Sequence, residues 1–284
     1  MVSLTSAELS VMPGSLPGMT VLVTGATGNI GRKVVDHLVA LGVGDIRALT
    51  TSPEKAALPD GVTPVLGYLG KPESLEGVFD GVERMYLAPL PSTAVDVLEL
   101  ARAAGVGYVV ALAGDASWWA EQAAAVENSG VGWTQLGPGE FMENYAMWAE
   151  QINRTGAVHE PERHAAQSPI AMDDIARVAA VVLGSGDEHL GKRYPITGPE
   201  AVTRQQLVQT IADVAGVEVR YVISSPEEAV RELRPTMGDR AQWYVDTLTD
   251  PAFEQPANTL VADLTGYPGT TFAQWVADNV GLFR

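Results

Sequence analysis

Short apolar runs and amphipathic stretches alternate along the first half of the chain. Met19–Val23 is an apolar, β-branched run of the kind buried in a parallel sheet. Arg32–Leu41 then spaces its apolar residues three and four apart, as a helix packed on a sheet does. The same reading predicts strands at Ile46–Leu49, Val62–Leu66, Arg84–Ala88, Gly107–Leu112 and Gly132–Leu136, with helices over Pro72–Phe79, Ala94–Ala104 and Trp118–Ser129. Strand and helix in turn are the mark of an α/β fold, a doubly wound parallel sheet covered by helices. Beyond Leu136 the pattern loosens. Thr203–Ala215 and Pro226–Leu233 read as amphipathic helices joined by a strand at Val217–Val222, together a smaller C-terminal α/β lobe. The expected division is therefore a flexible extension over 1–18, rich in Ser, Pro and Gly, a core over 19–155, and a lobe over 156–284 with some segments returning to the core sheet.

Between the first strand and the first helix stands Thr24-Gly25-Ala26-Thr27-Gly28-Asn29-Ile30-Gly31. Gly25 permits a tight turn, Gly28 lets backbone N–H groups approach a diphosphate, and Gly31 lets the helix lie close to the strand. An anion at that helix N-terminus meets unpaired N–H groups and the positive end of the macrodipole. Strand, glycine turn and helix together read as a dinucleotide cradle with Gly25, Thr27, Gly28, Asn29, Ile30 and Gly31 as its contacts.

The spacing is G-x-x-G-x-x-G, and TGATGNIG followed by RKVV resembles the short-chain dehydrogenase/reductase superfamily. Further segments are similar to its atypical NmrA-like branch, which includes NAD(P)H-dependent quinone reductases and triphenylmethane reductases. They are Gly139–Asn144, Ile170–Ala176, Tyr194–Glu200, Leu264–Gly266 and Thr271–Ala273. The resemblance implies a Rossmann-like sheet and an NAD(P)H-dependent oxidoreductase that transfers hydride to a small aromatic, quinone-like or conjugated carbonyl substrate. The superfamily's Tyr-x-x-x-Lys pair is absent, since no lysine stands between Lys71 and Lys192, and Ala113 replaces the usual serine or threonine. Two other readings therefore stay open: an NAD(P)-sensing regulator without catalysis, and a redox-neutral isomerase or rearrangement enzyme. Gly137, in L-G-P-G where the branch often has L-R-P-G, favours the sensor.

Composition narrows the partners. Of 284 residues, 35 are acidic and 18 are Lys or Arg, for a formal charge of −17. Phosphate backbones bind clustered cations, so nucleic acid is not an expected partner. Cysteine is missing altogether, which removes disulfides, thiolate nucleophiles and Cys-ligated metals. Four histidines without H-E-x-x-H spacing give no metal site. No apolar run reaches bilayer length and the first residues lack a signal-peptide core. The expectation is a cytoplasmic monomer or homodimer acting on a small molecule.

Cofactor choice is read at the end of the second strand, where an acid would select NAD. Thr50-Thr51-Ser52 stands there instead, with Arg32 or Lys55 as counter-charge, so NADP(H) is favoured over NAD(H). Ala88 and Ala113 close the fourth and fifth strands and join the cofactor contacts. Tyr68 replaces the branch's usual aspartate after the third strand, and both stacking on adenine and packing on the sheet remain open. A substrate pocket is expected from Trp118, Trp119, Phe141 and Trp148, with Asn144 or Tyr145 polarising a substrate oxygen. His159-Glu160-Pro161-Glu162-Arg163-His164 reads as a solvated loop, because proline breaks helical presentation.

Overall fold

The computed structural model describes residues 18–113, 119–163, 166–249 and 256–284. By internal contacts the chain forms two compact units, one running to Pro138 and taking in Met172–Ile196, the other Gly139–Ala171 with Thr197–Arg284. The expected extension over 1–18 lies outside the described residues apart from Gly18.

In the first unit the order is β1 (Thr20–Val23), α1 (Gly31–Ala40), β2 (Asp45–Thr50), β3 (Val62–Leu66), β4 (Arg84–Leu87), α2 (Ala94–Ala103), β5 (Tyr108–Leu112), α3 (Ala120–Asn128) and β6 (Gly132–Leu136). Its return segment adds α5 (Met172–Gly184) and β8 (Lys192–Tyr194). All seven strands are parallel, in the order β3-β2-β1-β4-β5-β6-β8. That is the doubly wound arrangement expected from the alternating pattern. β1 and β5 are buried along their whole length, which is why they read as continuous apolar runs and not as alternating ones. On α1 the spaced residues Val34, Val35 and Leu38 are buried, and α5 packs alongside.

One expected helix does not form. Pro72–Leu75 is a single 3-10 turn, and Gly77 follows with φ +74°. A left-handed glycine ends a helix, so Leu75, Val78 and Phe79 reach the core from successive turns. Two short strands without a clear period are additional to the sequence reading: β7 (Ala157–Glu160) and β8.

The second unit holds α4 (Trp148–Thr155), β7, α6 (Arg204–Ala215), β9 (Arg220–Ile223), α7 (Pro226–Met237), α8 (Arg240–Thr249), α9 (Leu260–Thr265) and α10 (Phe272–Asp278). β7 and β9 pair in parallel. Capping boxes at Thr203, Ser225 and Thr271 start α6, α7 and α10, satisfying N–H groups that a helix start otherwise leaves open. The boundary falls at Pro138 and not at 155. The reason is that Met142, Tyr145, Trp148 and Ile152 share one apolar cluster with Leu207, Ile211, Phe272 and Trp275.

Candidate functional site

The glycine turn leaves β1 at the point where strand order reverses, between β1 and β4. Open α/β sheets bind ligands at that crevice, beyond the carboxyl ends of the strands. Thr24 fixes the turn there. Its N–H and its Oγ1 both donate to the Tyr86 carbonyl, at 3.1 and 2.9 Å, and Oγ1 accepts from the Ala88 N–H at 2.9 Å. The sequence reading had not given Thr24 a role. A threonine at the end of a buried strand, one residue before a glycine turn, was the available signal.

Two glycines are demanded by close approach. Gly25 has φ +60°, and a Cβ on it would stand 2.9 Å from Ala88 Cβ. A Cβ on Gly31 would lie 2.2 Å from the Gly25 carbonyl oxygen and 2.7 Å from its carbonyl carbon. Gly28 donates its N–H to the Gly25 carbonyl at 2.9 Å and closes the turn. Ala26 and Ile30 are buried as anchors, whereas Thr27, Gly28 and Asn29 are exposed. No side chain caps α1 and its first turn carries no acid. The Arg32 and Val34 N–H groups are taken up by the Gly28 and Ile30 carbonyls, at 3.1 and 2.9 Å, so what this turn offers an anion is the positive end of the helix beside the exposed Thr27 and Asn29.

Beside the cradle, Thr50 is buried and accepts the Ser52 N–H on Oγ1 at 3.2 Å, while Thr51 is exposed. Arg32 reaches across from α1: Nη1 donates to the Ala57 carbonyl at 2.7 Å and Nε to Asp36 at 3.1 Å. A guanidinium thus lies against the loop that follows β2. Lys55 is exposed in the turn Pro53–Lys55. Ala88 is half-buried and Ala113 fully buried, its N–H donating to the Leu136 carbonyl at 3.0 Å. Trp119 is half-buried just ahead of α3, and Trp118 lies outside the described residues.

In the second unit the segment after Pro138 is held by paired backbone. Phe141 bridges Ile170, and Met142 donates its N–H to the Ile170 carbonyl at 2.9 Å. Phe141 and Asn144 are half-buried. Tyr145 and Trp148 are not: both are 0% exposed. The Tyr145 hydroxyl donates to Glu140 at 3.0 Å, and the Trp148 Nε1–H donates to Glu160 at 3.0 Å. This burial corrects the expectation that Tyr145 acts on substrate and Trp148 lines its pocket, since both rings are spent on the interior of their own unit.

Around them lies a buried ionic cluster. Arg204, 1% exposed, sets Nη2 3.0 and 2.9 Å from the two Glu140 carboxylate oxygens. Its Cζ stands 5.1 Å above the Tyr145 ring and 5.8 Å above the Trp148 ring. Glu160 also accepts from the Tyr244 hydroxyl at 3.2 Å. Burial pushes the Glu160 carboxyl up, with Arg204 opposing, and burial pushes the Tyr145 and Tyr244 hydroxyls up as well. The solvated-loop reading of residues 159–164 is corrected here. His159 and Glu160 belong to β7 and Glu160 is 1% exposed, because its partner Arg204 comes from a distant helix; His164 lies outside the described residues. Among the described residues no three His, Asp or Glu side chains are grouped to hold a metal ion, and no helix is long and apolar enough to cross a membrane.

The pattern of the NAD(P)H-binding family matches residues 25–185. An NAD(P)H azoreductase from Xenophilus azovorans is 29% identical, over 93% of this chain and 99% of the relative. A (4-alkanoyl-5-oxo-2,5-dihydrofuran-3-yl)methyl phosphate reductase from Streptomyces griseus is 30% identical, again over 93% and 99%. Among solved structures, the NADPH-dependent quinone oxidoreductase of Escherichia coli superposes with a TM-score of 0.82 at 24% identity, covering 92% of this chain and 99% of that one. The triphenylmethane reductase of a Citrobacter species gives 0.83 at 22%, covering 93% and 100%.

Proposed function

The chain belongs to the NAD(P)H-binding family, and from that premise we propose that it is an NADPH-dependent reductase of a small, flat, conjugated compound such as a quinone, an azo compound or an unsaturated carbonyl. The observation that carries this reading is the uncapped glycine turn at the reversal point of the sheet, with Gly31 lying against Gly25 backbone. Backbone N–H groups of Thr27, Asn29, Ile30 and Gly31 would hold the diphosphate while the Gly28 N–H closes the turn, and the small side chains of Ala88 and Ala113 would leave room at the strand ends. Bound there, the dinucleotide supplies hydride from its nicotinamide.

The sequence supports this choice of substrate class. No Tyr-x-x-x-Lys pair is present, and the Tyr145 hydroxyl is committed to Glu140 and hard to ionise. Without a strong positioned acid, the favoured substrates are those whose conjugated system carries the negative charge after hydride arrives. Asn144 is the proposed polarising group, its carboxamide donating to the substrate oxygen. The same lack of an acid favours a second reading as a cofactor-sensing regulator. Assaying NADPH oxidation over a panel of quinones, azo dyes and enones, with product analysis, separates them. Turnover is expected, and Asn144→Ala should lower it by roughly 100-fold on carbonyl substrates. Tight NADPH binding without turnover would support the sensor, and conversion without oxidation a redox-neutral enzyme.

Preference for NADPH over NADH is proposed from Arg32 at the loop after β2 and from the absence of an acid in Thr50-Thr51-Ser52. A charge-assisted hydrogen bond to the 2′-phosphate is worth about 1.5 kcal/mol or more, so Arg32→Gln should weaken NADPH about ten-fold and leave NADH unchanged. Thr51→Asp should shift the affinity ratio the same way by repulsion. Calorimetric titration of both dinucleotides checks this, and ratios equal to the parent's would remove the β2 end as the discriminating element.

A further inference from the structure

Tyr68 is an exposed aromatic that the core does not use. It stands 48% exposed, although tyrosine in a loop of this kind ordinarily lays its ring on the nearest apolar surface. Its position in the fold is well defined. β3 runs parallel to β2 with Leu66 opposite Thr50, and the Gly67 N–H donates to the Thr50 carbonyl at 3.0 Å. Tyr68 is the next residue, so it rises at the carboxyl edge of the sheet beside Thr50, the last residue of β2.

The loop that carries it is tightly bonded. The Tyr68 N–H donates to Ser74 Oγ at 3.0 Å, the Tyr68 carbonyl accepts the Lys71 N–H at 2.9 Å, and Ser74 Oγ donates to the Lys71 carbonyl at 2.7 Å. The ring then folds over Gly70. A Cβ on Gly70 would lie 2.5 Å from Tyr68 Cε1 and 2.8 Å from Cζ. Gly70 has no left-handed φ to explain its presence; the missing side chain makes room for the ring. The outcome is a tyrosine with one side laid on backbone and the remainder open, at the edge where the adenosine half of a dinucleotide bound in the cradle would lie.

We propose that Tyr68 is a further binding residue for the cofactor, a stacking platform for the adenine ring that Gly70 holds in place. The inference rests on the cofactor reading above and deepens it. A flat π-face recognises any purine by stacking and is indifferent to the 2′-phosphate, so Tyr68 sets affinity for the adenosine half while the end of β2 sets the choice between NADP and NAD.

Calorimetric titration of the full chain with NADPH, NADH and adenosine 2′,5′-bisphosphate tests this. Base–aromatic stacking lost on substitution by alanine corresponds to a fall in affinity of roughly 5- to 100-fold. Tyr68→Ala should therefore weaken all three ligands by about ten-fold or more. Tyr68→Phe should stay within about two-fold of the parent, and Tyr68→Leu, apolar but not flat, should fall with the alanine variant. Gly70→Ala, whose backbone has no strain to add, should displace the ring and weaken the same ligands. Unchanged affinities in Tyr68→Ala, with the parent binding NADPH, would overturn the stacking role and leave the cradle standing. A loss in Tyr68→Phe equal to that in alanine would overturn it too, by showing that the hydroxyl matters and not the face. A parent protein that binds none of the three ligands would overturn the cofactor reading itself.

Discussion

Replacing Gly31 by alanine should weaken NADPH binding on the order of 100-fold and lower the melting temperature by several degrees. One methyl group does both because of where it lands. The added Cβ would be 2.2 Å from the Gly25 carbonyl oxygen, 2.7 Å from its carbonyl carbon and 3.1 Å from the Thr24 carbonyl oxygen. Those are backbone atoms, and Thr24 is tied to Tyr86 and Ala88 by three hydrogen bonds. No flexible side chain is available to give way, so α1 itself must move off β1. Overpacking of this sort costs about 1–3 kcal/mol, or roughly 2–4 °C for each kcal/mol in a chain of this size. Binding suffers more, because the helix start and the turn that would hold the diphosphate move together. Gly44→Ala is the matched control, since a Cβ there meets nothing within 4 Å. If the two variants bind NADPH alike, the helix start is not what holds the cofactor.

How much of this was legible in the sequence depends on how local the physics is. Strands β1 to β6 were readable because each is a short run bounded by turn residues, and because β1 and β5, buried along their whole length, read as continuous apolar runs. The cradle was readable for a similar reason, as Gly28 and Gly31 answer to the backbone of Gly25 a few residues away, although Gly25 itself also answers to Ala88 at the end of a distant strand. Pro72–Phe79 misled because Leu75, Val78 and Phe79 have helical spacing, whereas Gly77 between them takes a left-handed conformation that spacing does not reveal. β7 and β8 were too short, and too dependent on partners far along the chain, to show a period. The ionic cluster was hidden for the same cause. Glu140, Glu160 and Arg204 look like surface charges until a fold brings them together, and Glu160 sits inside a charged hexapeptide that locally favours water. Tyr145 and Trp148 look like substrate contacts in the sequence because they are aromatic and follow the end of β6. Their polar atoms instead satisfy those two buried carboxylates.

That cluster yields the second large effect. Arg204→Met keeps much of the side-chain volume and removes the cation, leaving the Glu140 and Glu160 carboxylates in an interior where the rings of Tyr145 and Trp148 exclude water. Breaking a buried pair from one side costs about 3–5 kcal/mol, because the uncompensated charge must be desolvated or protonated. The expected fall in unfolding midpoint is on the order of 10 °C. It should appear in tryptophan fluorescence, since the Trp148 Nε1–H reports directly on Glu160. Arg154 and Glu232 supply the contrast: their pair is on the surface, with the arginine side chain 48% exposed, and Arg154→Met should cost no more than about 1 kcal/mol. Adding Glu140→Gln to Arg204→Met should recover part of the loss, since the amide still accepts the Tyr145 hydroxyl but carries no charge to strand. Recovery would be incomplete, because Glu160 remains. Arg204 Nε and Glu160 Oε2 face each other across 3.8 Å, beyond hydrogen-bond reach, so Glu160 depends on the field of the guanidinium more than on a direct bond. An Arg204→Met protein as stable as Arg154→Met would mean that the guanidinium contributes nothing to this interior, and that the unit is held by packing alone.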